Sequence, residues 1–306
     1  MKQISEKVVF FGSGPVAAKS LMLFSKYSHI EAVITKPRRN EYQPDPPVFQ
    51  IATKLKLPIL YASNKTDLDS AFKENNFESK IGILIDFGII ISQEVIDKFK
   101  LGIINSHFSI LPEWRGPDPI TYSILSGQSD AGVSLMKLVL KMDEGPLLNF
   151  RSIKISPKIN NNDLTDKLIE LSNQLIIETL PLYIQGKIKL MDQSITRKSV
   201  CYSRMIKKED GLIDFNKPAI EIERQIRAFK SWPKSKLLIK NKTLIITEAE
   251  FSEETGQPGR LFVNNNNELG LYCGKNSLII KRLTPAGKKE MSSNDYLIGN
   301  KSILLI

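Results

Sequence analysis

The sequence predicts an α/β protein in which a doubly wound, mostly parallel sheet is followed by a smaller domain of short strands. Three observations carry this. The first half alternates short, uninterrupted apolar runs with amphipathic stretches, the pattern of strands covered on both faces by crossover helices. Beyond about residue 205 the apolar runs become shorter and lie close together, separated by turn-rich pieces such as the asparagine run 264–267, as in a small β-barrel or sandwich. The length of 306 residues also exceeds what one core of roughly 100–200 residues holds, so two domains are expected.

Residues 8–11 (VVFF) form the first strand, stopped by Gly12-Ser13-Gly14-Pro15. Residues 16–25 read as a helix with Pro15 in its first turn, where a missing N–H leaves no gap. Residues 31–35 (EAVIT) form a second strand. The stretch 36–47 is loop, because Pro37, Pro44, Pro46 and Pro47 neither donate to a ladder nor fit inside a helix. A helix at 48–55 and a brief strand at 58–60 follow. Residues 80–85 (KIGILI) read as a buried strand, 92–99 as a helix capped by Ser92, and 102–105 and 133–140 as further strands. A long amphipathic helix spans 163–184 and closes at Gly186. The polar residues after it lack periodicity, which places a linker at 189–205 between a first domain, 1–188, and a second, 206–306. In the second domain, strands are expected at 237–239, 243–247, 259–263, 269–272 and 278–282.

Charge points to a partner. The net charge is +10, and residues 190–306 hold 20 Lys and Arg against 13 Asp and Glu, so +7 of the excess lies there. A basic surplus favours polyanions, nucleic acid first among them, although a merely solvated basic surface gives the same count. No apolar run approaches the ~18 residues of a membrane span, and the N-terminus lacks a signal-peptide core, so a cytoplasmic protein is expected. Cys201 and Cys273 show no CxxC spacing and no adjacent histidine, so both read as reduced thiols and no metal site is expected.

Only two histidines are present, His29 and His107. His29 precedes a strand in a polar turn. His107 follows a buried strand, at the carboxyl end where open α/β sheets gather ligands. Asn105 lies two residues before it, so an extended chain points both side chains the same way. An amide and an imidazole on one side suit a reaction that develops negative charge on oxygen. Asp143, in Lys141-Met142-Asp143-Glu144-Gly145, reads either as a turn aspartate or as the partner that orients His107. Gly12-x-Gly14-x-x-Ala17 fits the loose dinucleotide fingerprint, but the second strand ends Thr35-Lys36 without the expected acid, so the glycines read as a tight turn.

The block Asn105-Ser106-His107-Phe108-Ser109-Ile110-Leu111-Pro112-Glu113-Trp114-Arg115-Gly116, with Pro119-Ile120 beyond it, closely resembles the catalytic signature of the methionyl-tRNA formyltransferases. Asn-x-His with a downstream aspartate is shared by 10-formyltetrahydrofolate-dependent formyltransferases at large, and Trp-Arg-Gly is typical of the tRNA-directed branch. Gly132-Val133-Ser134-Leu135-Met136 to Met142-Asp143-Glu144-Gly145 is similar to the segment that supplies the family's aspartate. The resemblance continues through Tyr202-Ser203-Arg204-Met205-Ile206, Arg227-Ala228-Phe229-x-x-Trp232-Pro233 and Pro285-Ala286-Gly287-Lys288-Lys289-x-Met291-Ser292, which look like a C-terminal module.

The resemblance implies a Rossmann-like catalytic domain followed by an OB-like tRNA-binding barrel, and formyl transfer from 10-formyltetrahydrofolate to methionyl initiator tRNA. By it, Asn105, His107 and Asp143 are catalytic. Ile85, Asp86, Phe87, Gly88, Ser109, Leu111, Pro112, Leu138, Val139 and Leu140 would contact the folate. Lys36, Arg38 and Arg39, in the loop after the second strand, and Lys207, Lys208, Lys288 and Lys289, in the barrel, would contact tRNA. No metal, membrane or obligate protein partner is implied, and a monomer is expected. Phe108, Asp86-Phe87, Val139 and Lys141 depart from the residues usual at these positions, and the loop 36–47 is shorter and less basic than usual. Two other readings remain: a formyltransferase acting on a small amine such as an amino sugar, and a catalytically impaired RNA-binding relative.

Overall fold

A computed structural model describes residues 4–38, 42–239 and 242–304. In chain order the elements begin with β1 (Ile4–Phe11), α1 (Pro15–Phe24), β2 (Ser28–Thr35), α2 (Pro47–Lys54), β3 (Ile59–Tyr61), α3 (Lys65–Glu74), β4 (Ile81–Leu84), α4 (Gln93–Asp97) and β5 (Gly102–His107). They continue with α5 (Pro119–Leu125), β6 (Asp130–Lys137), β7 (Leu147–Lys154), α6 (Asn161–Ile184), α7 (Ala219–Ala228), β8 (Ser235–Ile239) and β9 (Lys242–Ser252). The last are β10 (Leu261–Val263), β11 (Leu269–Tyr272), β12 (Ser277–Pro285), β13 (Met291–Ser292) and α8 (Ser293–Ile298). Two compact units result, one of residues 1–119, 130–154 and 165–204, the other of 120–129, 155–164 and 205–306.

The first unit holds a seven-stranded sheet in the order β3-β2-β1-β4-β5-β6-β7. Pairings from β3 through β5 are parallel, as the uninterrupted apolar runs predict, and β5–β6 and β6–β7 are antiparallel. The chain builds outward in one direction from β1 to β3 and in the other from β4, so the switch point, where such sheets bind ligands, lies between β1 and β4. Phe11 anchors the core on one face, stacked on Phe72 and edge-on to Phe87 and Phe99.

Several elements carry no strong sequence signal. α3 starts at Asn64, whose side chain accepts from the Asp67 N–H, a cap hidden inside a polar stretch. β7 is half-exposed and edges the sheet, so its apolar run is interrupted. β6 runs from Asp130 to Lys137 instead of 133–140. Leu138 leaves the strand while still giving its N–H to Ile103 O at 2.8 Å, and the chain then turns through 139–143. The stretch 189–205, expected as a linker, carries a 3-10 helix at Gln193–Thr196 and pairs as isolated bridges at Met191 with Leu147 and at Tyr202 with Arg115.

The second unit holds a six-stranded antiparallel sheet in the order β10-β11-β12-β9-β8, with β13 paired to β12. Its core brings Ile222 and Ile226 of α7 together with Leu237, Leu244, Leu269, Leu278 and Leu283. Among the described residues no helix is long and apolar enough to cross a membrane.

Candidate active site

All six residues of β5 are buried, so Asn105 and His107 are held on a rigid strand inside the first unit. Asp143 comes from the turn after β6. Its φ of +54° is left-handed, a conformation Asp adopts more readily than most residues, and it aims the carboxylate back toward β5. Gly145 closes that turn: a Cβ there would lie 1.9 Å from Lys137 O.

The three side chains converge. Asn105 Nδ2 donates to Asp143 Oδ1 at 3.3 Å, and His107 Nδ1 lies 3.8 Å from Asp143 Oδ2. The second carboxylate oxygen instead accepts the Gly116 N–H at 2.8 Å. On its other side the imidazole bonds Trp114 O through Nε2 at 3.0 Å. A carbonyl only accepts, so this bond assigns a proton to Nε2 and turns Nδ1 toward Asp143. The carboxylate is therefore tied most directly to Asn105 and Gly116, with His107 a longer neighbour.

The loop 111–118 grips both groups, and residues 193–203 in turn grip the loop. Thr196 Oγ1 donates to Leu111 O at 2.8 Å, the Trp114 N–H donates to Cys201 Sγ at 3.2 Å, and the Arg115 N–H donates to Cys201 O at 3.0 Å. Arg115 Nη2 donates to Gln193 Oε1 at 2.8 Å and Nη1 lies 3.4 Å from Glu144. Gln193 Nε2 donates to Asp143 O and Gly145 O, at 2.7 and 2.9 Å. Nothing in the local sequence singles out Gln193, and its partners lie 50 and 48 residues away in the chain.

The residues expected to contact folate fall into two groups. Ile85, Asp86, Phe87 and Gly88 follow β4 at the switch point, and Leu138, Val139 and Leu140 follow β6. The groups meet where Leu138 packs on the cluster containing Phe87 and Ile91. Val139, Leu140 and Met142 beyond it, and Ile90 after β4, are exposed apolar side chains. Ser109, Leu111 and Pro112 are buried. Leu111 N–H is taken by Ser134 Oγ at 3.0 Å, and Ser109 O accepts that same hydroxyl at 2.8 Å.

Asp86 explains Gly14, while Gly12 is crowded by Ala17 and Phe10. The φ of Asp86 is +46°, its carbonyl accepts the Ser13 and Gly14 N–H groups at 3.0 and 3.2 Å, and its carboxylate accepts the Val16 and Ala17 N–H groups at the N-terminus of α1. A Cβ on Gly14 would lie 1.9 Å from Asp86 Oδ2. The chain's own carboxylate thus sits where a dinucleotide fold seats a phosphate. Burial pushes the Asp86 carboxyl up to about 6, with Asp118 adding to the rise, while the two N–H groups and Lys36 oppose it. The residue as a whole is nonetheless exposed to solvent.

The expected RNA contacts are spread over both units. Lys36 Nζ donates to Gly88 O at 3.1 Å, which ties it to the turn after β4. Arg38 is ion-paired with Asp45, and Arg39 lies outside the described residues. Lys207, Lys208, Lys288 and Lys289 are exposed on the second unit. Two hollows of about 70 and 110 Å³ have none of the catalytic candidates among their lining residues. Among the described residues no group of three or more His, Cys, Asp or Glu is arranged to hold a metal ion.

The formyl transferase family matches residues 6–180, and the formyl transferase C-terminal domain matches residues 205–301. The chain is 32% identical over 305 residues to a methionyl-tRNA formyltransferase of Herpetosiphon aurantiacus, covering 97% of this chain and 99% of that one. A methionyl-tRNA formyltransferase of Geobacter sulfurreducens is 30% identical over 300 residues, covering 96% and 93%.

The chain belongs to the methionyl-tRNA formyltransferase family.

Formyltransferase structures share its fold. An N-formyltransferase from Helicobacter canadensis, solved with folinic acid and dTDP-3-aminofucose, matches with a TM-score of 0.66 at 19% identity, covering 94% of this chain and 100% of that one. The sugar 3N-formyltransferase WlaRD matches at 0.67 and 21%, covering 93% and 99%. At these identities the likeness speaks for the formyltransferase fold alone.

Proposed function

We propose that this protein transfers the formyl group of a 10-formyltetrahydrofolate-type donor to the α-amine of methionyl initiator tRNA. The convergence of Asn105, His107 and Asp143 carries the reading, in a chain about 30% identical over nearly its full length to methionyl-tRNA formyltransferases.

The residues present fit a folate donor. Exposed Ile90, Val139, Leu140 and Met142 offer apolar surface to a flat pterin, and Asp86, with its raised carboxyl, offers hydrogen-bonding capacity toward the ring's N–H groups. Such a donor supplies an electrophilic formyl carbon. Asn105 has two amide hydrogens; one goes to Asp143 and the second is the donor for the formyl oxygen as negative charge grows there. Asp143, held by Asn105 and Gly116, accepts the proton that the amine loses as the new C–N bond forms. His107 Nδ1 stands beside that carboxylate, and the Trp114 carbonyl fixes the ring's orientation. A proton returned from this pair to the nitrogen leaving the formyl carbon balances the transfer.

In this reading the first unit is the catalytic domain and the second an OB-like tRNA-binding domain. Lys207, Lys208, Lys288 and Lys289 are its phosphate-binding side chains. The test is formylation of charged initiator tRNA by purified protein with 10-formyltetrahydrofolate, run with an amino sugar in parallel. Formylmethionyl product on tRNA supports the reading. Product on the sugar alone overturns the substrate, and no product on either overturns the activity.

A further inference from the structure

We infer that Gln193 is a positioning residue that sets the geometry of the turn carrying Asp143, and that it is the member of the 189–205 segment bonded directly to that turn. The inference rests on the formyl-transfer reading of Asn105, His107 and Asp143. Gln193 is buried, and its side chain is used at both ends. Its amide nitrogen has two hydrogens and gives one to Asp143 O and one to Gly145 O, at 2.7 and 2.9 Å. Its oxygen accepts from Arg115 Nη2 at 2.8 Å.

These bonds close a ring. Arg115 reaches back to Glu144, inside the same turn, and Gly116, the next residue, gives its N–H to Asp143 Oδ2. One amide therefore spans the turn that carries the carboxylate and joins it to the loop that touches both Asp143 and His107. The Asp143 backbone is left-handed, at φ +54°, a conformation that Asp tolerates but that still costs energy, which surrounding contacts offset. Two bonds from one buried amide, on either side of Glu144, restrain the backbone of the turn itself. Without them Asp143 relaxes, and its carboxylate drifts from Asn105 and Gly116. A displacement of about 1 Å at a reacting group costs on the order of 10²-fold in rate.

The role separates from simple stability by substitution. Gln193→Glu keeps an acceptor for Arg115 and most of the side-chain volume but has no N–H for the two carbonyls. Gln193→Leu removes both ends. The measurements are kcat and KM for donor and tRNA, melting temperature, and hydrogen exchange of the Gly116 amide, which reports directly on the Asp143 carboxylate. Both variants are expected to lose about tenfold or more in kcat, to keep KM within about twofold, and to exchange Gly116 faster than wild type. If the leucine variant does not fold, the glutamate variant carries the test. Unchanged kcat, a loss confined to KM, or a kcat loss with Gly116 exchange unchanged overturns the inference. Failure of the formylation reading shows separately, as absence of turnover in wild type, and Gly116 exchange then still decides whether Gln193 holds the turn.

Discussion

Gly116 gives its backbone N–H to Asp143 Oδ2 at 2.8 Å, so a loop 27 residues earlier in the chain holds the carboxylate of the turn after β6. The geometry demands glycine. Gly116 has φ +113°, and a Cβ there would lie 2.4 Å from Ser203 O, which has no room to move because the Ser203 N–H is itself bonded to Arg115 O at 2.8 Å. Gly116→Ala is expected to destabilise the fold by about 1–3 kcal/mol, read from urea unfolding, and to lower kcat at temperatures where the protein remains folded. Wild-type stability in the alanine variant would refute the geometry.

Asn105→Ala and Asp143→Asn test the catalytic roles proposed for this pair. In the proposed reaction Asn105 is a preorganised donor to developing charge, and loss of one such donor costs about 10²–10³ in kcat. Asp143→Asn preserves shape but cannot accept a proton from the amine. Both variants are expected to fall by at least about 10²-fold in kcat, with donor KM little changed. Full turnover in either removes that residue from the chemistry.

Asp86 makes a pH prediction with a definite sign. Its carboxyl titrates at about 6 in the folded protein against an ordinary value of 3.8. Between these values the folded protein keeps a proton that the unfolded chain has released, so stability falls as pH rises through that window and levels above it. Because water reaches the group, the slope is modest. Carbon-13 NMR of the Asp86 carboxyl should give a midpoint near 6, and Asp86→Asn should flatten the stability profile between those limits. A midpoint at the ordinary carboxylate value would show that the surrounding protein does not desolvate the group.

Lys288 and Lys289 test the RNA-binding reading. The charge reversals Lys288→Glu and Lys289→Glu are expected to raise KM for tRNA and to reduce the slope of log affinity against log salt by about 1 for each lysine–phosphate pair broken. kcat at saturating tRNA should stay near wild type. Unaltered salt dependence would assign both lysines to plain solvated surface.

The sequence by itself determines the parallel half of the large sheet, because strands buried on both faces must be continuously apolar, and 81–85 and 102–104 meet that demand. It also determines that Asn105 and His107 share a side, since that follows from the two-residue repeat of an extended chain. Asp143 is different: an acid before a glycine is ordinary turn chemistry, and only the antiparallel return of β6 and the left-handed turn beyond it bring its carboxylate to β5. Asp86 and Gln193 depend on the fold more completely. One fills the N-terminus of α1 from across the switch point, and the other reaches the Asp143 turn from a polar stretch without periodicity. Hydrogen bonds between residues 50 or more positions apart leave no local pattern in a chain, so tertiary structure alone decides them.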